Sequence, residues 1–217
     1  MSQLINFYSQ VKEVKRLNPG FKTHKIEVPF RMLVCTASGG GKSNFVLNLL
    51  YEMTDTFHKI IVITKSAEPL YDLLQERLKD KVSIYYNENG VNIPEFEKME
   101  NNENGLIIFD DMVLTPDFKI GEIFIRGRKL GFSSIFISQS FFQTLKIIRQ
   151  NVNYVALGRG INKRDLRLIL SEYSISLNLE ELEHLYFTLT KKHMHFMLLD
   201  LIKHNIRSNI KLIVKEF

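Results

Sequence analysis

The sequence holds one cysteine, Cys35, in 217 residues. A single thiol closes no internal disulfide, so packing must hold the fold, and a reducing compartment is the expected setting. Cys35 lies in an apolar run and is expected to be a small buried core residue, not a nucleophile. No apolar stretch approaches the ~20 residues that cross a bilayer, so no transmembrane segment is expected. The opening Met1-Ser2-Gln3-Leu4-Ile5-Asn6 lacks the charged-then-apolar layout of a secretory signal. There is no internal repeat and no low-complexity tract. His193 and His195 flank Met194, and with one cysteine in the chain they make no credible metal cluster. What is present is ordinary for a globular protein: 45% hydrophobic and 24% charged residues. The length suits one full α/β domain and is too short for two comfortable ones.

The net charge of +5 is unevenly spread. Residues 119–167 carry ten Lys/Arg against two Asp/Glu, a local +8, whereas residues 85–104 carry one Lys and five Glu, a local −4. A basic excess of this kind is the footprint of a polyanion binder, and equally that of a solvated face.

The chain is organised around Thr36-Ala37-Ser38-Gly39-Gly40-Gly41-Lys42-Ser43, which follows the apolar Met32-Leu33-Val34-Cys35 and precedes Asn44-Phe45-Val46-Leu47. This reads as a strand, a glycine loop and a helix start. Glycines let backbone N–H groups turn inward on an anion, and a helix N-terminus adds its unpaired N–H groups at the same point. The pattern predicts a nucleoside triphosphate site built from Ser38, Gly39, Gly40, Gly41, Lys42, Ser43 and Asn44. Lys42 would reach the β- and γ-phosphates, and the Ser43 hydroxyl would ligate Mg²⁺. Thr36 departs from the pattern, which has glycine at that position.

Strands are expected near residues 26–30 and at 32–36, 59–64, 82–86, 106–111, 133–138, 153–157, 195–201 and 210–214. Helices are expected at 42–54, 69–78, 117–130, 163–173 and 179–190, with a short one from Pro94 inside a polar surface insertion at 87–105. Strands alternating with helices of this length imply an α/β fold with a mostly parallel central sheet flanked by helices. A basic amino-terminal segment (1–30) would precede a single domain (31–217).

Leu106-Ile107-Ile108-Phe109-Asp110-Asp111 ends a buried strand in two adjacent carboxylates, which repel each other and are costly to desolvate. A bound Mg²⁺ supplies the reason. Asp110 is assigned to the metal and Asp111 to the attacking water, so hydrolysis is expected and not binding alone. Phe136-Ile137-Ser138-Gln139-Ser140 puts Gln139 at the end of another strand, where it would face the γ-phosphate or the water.

The order of these motifs, with Gly127-Arg128-Lys129-Leu130-Gly131 leading into Ile135-Phe136-Ile137-Ser138-Gln139-Ser140, resembles the FtsK–HerA class of DNA-pumping ATPases. The continuation through Phe141-Phe142-Gln143-Thr144, Ile148-Arg149-Gln150-Asn151 and Tyr154-Val155-Ala156-Leu157 is similar to the genome-packaging ATPases of poxviruses, other large DNA viruses and virophages. The resemblance covers residues 31–157, and the tail fits more loosely. Asp111 stands where many relatives of the wider class carry Glu. The resemblance implies a P-loop NTPase of the ASCE/RecA-like type using ATP and Mg²⁺. It implies a homo-oligomeric ring, pentamer or hexamer, that moves double-stranded DNA into a preformed capsid and meets a capsid or portal-vertex protein. The host cytoplasm, at viral factories, and the virion are the expected locations.

A ring would supply an arginine finger in trans, with Arg126, Arg128, Arg149 and Arg159 as candidates; the family pattern favours Arg128 and Arg149. DNA contacts would go mostly to phosphates, from the 119–167 region and the amino-terminal lysines. Phe141 and Phe142 are expected in the core or at a subunit contact. Three other readings stand beside this one. They are a small nucleotide kinase, a HerA-like cellular or plasmid translocase or helicase, and a nucleotide-gated module with negligible hydrolysis.

Overall fold

The structure, a computed structural model, describes residues 5–10, 15–87, 96–100, 102–112 and 118–217. Six strands run parallel: β1 (Arg31–Cys35), β2 (Lys59–Thr64), β3 (Val82–Tyr86), β4 (Gly105–Asp110), β5 (Phe132–Ser138) and β6 (Tyr154–Leu157). Three more, β7 (Met197–Asp200), β8 (Asn205–Ser208) and β9 (Leu212–Glu216), extend the sheet antiparallel. The order across the sheet is β3-β2-β4-β5-β1-β6-β7-β8-β9. The helices are α1 (Phe21–His24), α2 (Lys42–Glu52), α3 (Pro69–Leu78), α4 (Phe118–Arg126), α5 (Lys146–Arg149), α6 (Lys163–Tyr173) and α7 (Leu179–Leu189).

The central strands are apolar on both faces because helices cover both. Along β1, Met32 and Val34 enter one core while Leu33 and Cys35 enter the other, the period-two alternation of a pleated strand. On the first face α2 and α3 pack through Phe45, Val46, Leu49, Tyr71 and Leu74. On the second, α4, α6 and α7 pack through Ile120, Phe124, Leu166, Ile169, Leu182 and Tyr186. Each large apolar side chain so buried contributes roughly 1.5–3 kcal/mol.

Most expected elements are present with ends shifted by a residue or two, and the departures have local causes. Residues 26–30 form no strand. Their backbone donors go to side chains instead: Ile26 N–H to His24 Nδ1 at 3.0 Å, Glu27 N–H to Tyr154 Oη at 3.1 Å, and Phe30 N–H to Ser133 Oγ at 3.1 Å. Ile26 and Phe30 nevertheless sit in the core with β1, so this end of the basic segment is packed onto the domain. The helix expected at 117–130 is an α-helix to Arg126, tightened into a 3₁₀ turn over Gly127–Leu130. The helix expected from Pro94 begins outside the described residues, and residues 96–100 are not helical. That stretch is anchored by Phe96, whose ring meets Phe132 edge-on at 5.7 Å.

Two short helices, α1 and α5, and the strand β8 are absent from the sequence reading. β8 carries Arg207, which is fully buried and ion-paired with Asp200 of β7. The same guanidinium donates to the carbonyl of His24 at 3.1 Å and to that of Ile210, and so ties the amino-terminal segment to the last hairpins.

Candidate active site

Three carboxyl strand ends define the site. β5 lies between β1 and β4, so the glycine loop after β1, the acidic end of β4 and the Ser138-Gln139 end of β5 open on one crevice. They border a cavity of about 590 Å³ whose lining includes Ser38, Gly39, Gly41, Lys42, Ser43 and Asn44, with Asp110, Asp111 and Gln139 across from them. That volume suits a small organic ligand, whose sites run roughly 300–1,000 Å³.

The loop conformation explains its composition. Gly39 (φ 70°) and Gly41 (φ 88°) adopt left-handed backbone that a Cβ would disfavour. Gly40 is constrained differently: a Cβ there would lie 2.1 Å from Thr36 Oγ1. Thr36 is fully buried and donates its hydroxyl to the Arg159 carbonyl at 2.7 Å, which also accepts the Ala37 N–H at 3.0 Å. The threonine at the first loop position thus fastens the loop to the end of β6. α2 starts at Lys42 with no side-chain cap, so its first N–H groups are available to a ligand. Gly40 itself does not line the cavity.

On the acidic side, Asp110 is 7% exposed and its Oδ2 accepts a hydrogen bond from Tyr71 Oη at 2.8 Å. Burial pushes its carboxyl above the usual range. The Tyr71 bond and the Lys42 charge oppose that rise, and Glu68 and Asp111 add to it. Burial, followed by the Asp110 charge, pushes the Tyr71 hydroxyl well up, so it stays a donor. Asp111 lies one residue beyond β4 at φ 56°, a conformation rare outside glycine, and is exposed to the cavity. A buried carboxylate beside the Ser43 hydroxyl is a hard oxygen donor set. It fits Mg²⁺, which neutralises such a carboxylate and binds through few protein oxygens. Gln139 is exposed at the mouth, following Ser138, whose hydroxyl is bound to the Ser140 carbonyl at 2.9 Å.

The arginines separate. Arg149 is 8% exposed, ion-paired with Glu172, bonded through Nε to the Thr144 carbonyl at 3.0 Å and seated 5.3 Å over the Phe141 ring. Its guanidinium is held by groups of its own chain. Arg128 is exposed in the turn before β5, on the edge of the sheet opposite the cavity, and its side chain makes no ion pair or hydrogen bond among the described residues. Arg126 pairs with Glu122, and Arg159 is exposed just after β6 on the cavity edge. The basic 119–167 stretch is therefore divided between opposite edges of the sheet and does not form one continuous face. Phe141 is buried, while Phe142 is 45% exposed with the Arg164 guanidinium 3.6 Å over its ring.

With this geometry in view, the poxvirus A32 protein family matches residues 20–213, which takes in all three motifs and the antiparallel strands β7 and β8. The chain belongs to the poxvirus A32 protein family. No curated protein matches it significantly. Solved structures share its P-loop NTPase fold at low identity. The genome packaging NTPase B204 from Sulfolobus turreted icosahedral virus 2, in complex with AMP, is 13% identical with a TM-score of 0.58, over 84% of this chain and 98% of that one. The DNA-packaging ATPase B204 from Sulfolobus turreted icosahedral virus is 12% identical with a TM-score of 0.57, over 88% and 100%. The cytoplasmic domain of the Thermomonospora curvata type VII secretion ATPase EccC is 14% identical with a TM-score of 0.55, over 85% of this chain and 25% of that one. No helix among the described residues is long and apolar enough to cross a membrane.

Three residues that line or support the site in this A32-family chain escape sequence reading. Glu68 precedes α3 and faces the cavity, and its side chain makes no hydrogen bond or ion pair among the described residues. Its proximity to Pro69 marks a helix start and says nothing of a ligand. Tyr71 reads as one more apolar residue on a buried helical face. Met194 follows α7 and reaches the cavity from far along the chain. It sits at φ 60° against Gly41, where a Cβ would lie 2.9 Å from Met194 Cγ.

Proposed function

We propose that this chain is an ATP-hydrolysing motor that drives double-stranded viral DNA into a preformed capsid. The observation that carries the reading is the convergence of Lys42 and Ser43, Asp110 and Asp111, and Gln139 on one cavity in a member of the poxvirus A32 protein family. The low-identity likeness to two genome-packaging ATPases and a secretion ATPase supports the same class of energy conversion.

In this reading the loop N–H groups and Lys42 bind the β- and γ-phosphates and draw charge off them as the terminal bond breaks. Ser43 and Asp110 would hold Mg²⁺, which would supply positive charge to offset that of the phosphates. Asp111 accepts a hydrogen bond from the attacking water and receives its proton, while Gln139 fixes the water in line. Arg128 faces away from its own cavity, which supports a role on the nucleotide of the neighbouring subunit in a pentameric or hexameric ring. Arg149, already spent on Glu172, braces the Phe141 region instead. Exposed Lys163, Arg164 and Arg167 on α6 are suited to phosphate contacts that ignore sequence. A capsid or portal-vertex protein would anchor the ring at viral factories in the host cytoplasm.

Steady-state ATP hydrolysis with and without long duplex DNA tests this. DNA-stimulated turnover that Lys42→Ala and Asp111→Asn both abolish is the expected result. Phosphoryl transfer to a nucleoside monophosphate would replace the motor with a kinase, and unwinding of a forked duplex would favour a helicase.

A further inference from the structure

Asp110 is not alone at the base of the cavity. Tyr71 is fully buried, and its hydroxyl donates to Asp110 Oδ2 at 2.8 Å with Ser43 close by. The ring is fixed from behind by the core that α3 shares with α2 and β1. Its backbone is fixed by the first turn of α3, where Tyr71 N–H bonds to the Glu68 carbonyl at 2.9 Å. A carboxylate carries two acceptor oxygens. One rigid donor on Oδ2 sets the rotation of the group and reserves Oδ1 for a cation or for water bound to it.

We propose that Tyr71 is the positioning residue of the metal site: its hydroxyl holds Asp110 in the one orientation that presents an oxygen beside Ser43. This rests on the reading of Asp110 as the metal-holding carboxylate. Nothing in the glycine-loop or acidic-strand motifs names a tyrosine, and α3 reaches the site only because β2 lies beside β4, with Thr64 opposite Asp110. A tyrosine that merely filled the core would affect folding and leave the metal dependence alone.

The full chain with a fluorescent ATP analogue and titrated Mg²⁺ separates the two roles. Tyr71→Phe keeps the ring and deletes the donor. Its metal-free nucleotide affinity should stay within about twofold of wild type, while the Mg²⁺ concentration giving half of the metal-induced change should rise about tenfold. ATP hydrolysis should follow the same Mg²⁺ shift, with a smaller loss at saturating metal. A Tyr71→Phe titration that overlays the wild type overturns the proposal. Asp110→Asn distinguishes the two levels. If it too leaves the Mg²⁺ response unchanged, the reading of Asp110 is what fails. If it removes the response while Tyr71→Phe does not, only Tyr71 is misassigned. Should Tyr71→Phe not fold, Tyr71→Met fills the same space without a donor. If neither folds, the residue is structural and the proposal falls.

Discussion

Replacing Thr36 with glycine restores the usual first residue of the loop pattern, and the structure requires that this weaken the protein. Thr36 is absent from the residues with left-handed backbone, so glycine relieves no strain there. Three contributions are lost. The hydroxyl bond to the Arg159 carbonyl, 2.7 Å long and buried, is worth about 1 kcal/mol. The side chain fills the space between Gly40 and Gly158, where added Cβ atoms would lie 2.1 Å and 2.6 Å from Thr36 Oγ1; emptying it costs about 1–2 kcal/mol. The added backbone freedom of glycine costs about 0.5–1 kcal/mol more. The sum is about 2.5–4 kcal/mol, or about 5–15 °C in melting temperature for a domain of this size. Thr36→Val keeps the shape and leaves the Arg159 carbonyl its bond from Ala37 N–H, so it should lose only about 1 kcal/mol. Urea and thermal unfolding of the three proteins measure this order. A Thr36→Gly chain that melts at or above the wild type would refute the account of the loop.

Three further outcomes follow from the same structure. Burial, the largest cause, depresses the pKa of His24, and the ring accepts the Ile26 N–H through Nδ1 at 3.0 Å, which only the neutral form can do. The folded chain therefore binds fewer protons than the unfolded chain as pH falls through about 6.5, so this stability is present above that pH and lost below it. Melting temperature between about pH 7.5 and 5.5 should fall more steeply for the wild type than for His24→Gln; parallel curves would exclude the mechanism. Arg149→Ala strands Glu172 at a largely buried site and should cost about 3–5 kcal/mol in urea unfolding. Arg128→Ala should unfold like the wild type and lose about 10³-fold in turnover, recovered by mixing with Lys42→Ala subunits. Normal hydrolysis by Arg128→Ala would remove it from the site.

The sequence by itself determined the nucleotide loop, because a strand, three glycines, Lys42 and Ser43 are contiguous and their geometry is local. It determined the central strands as well, since a run such as Ile60-Ile61-Val62-Ile63 is apolar throughout only when both faces are covered. Asp110 was legible as a strand end that carries charge without an evident partner. What only the tertiary structure decided depends on contacts between distant segments. The insertion of β5 between β1 and β4 brings Gln139 to the cavity, a matter of strand order that no local pattern records. Tyr71 and Asp110 are 39 residues apart and meet only because β2 pairs with β4. Arg149 and Arg128 carry the same side chain in similarly basic surroundings, yet the half-buried Glu172 holds one inward while the other stays exposed on the far edge. β8 is four residues with Arg207 at its centre, and a buried arginine reads as surface until Asp200 is found beside it. A side chain's chemistry is written in the chain, but its partner, and with it its role, is supplied by whatever the fold packs against it.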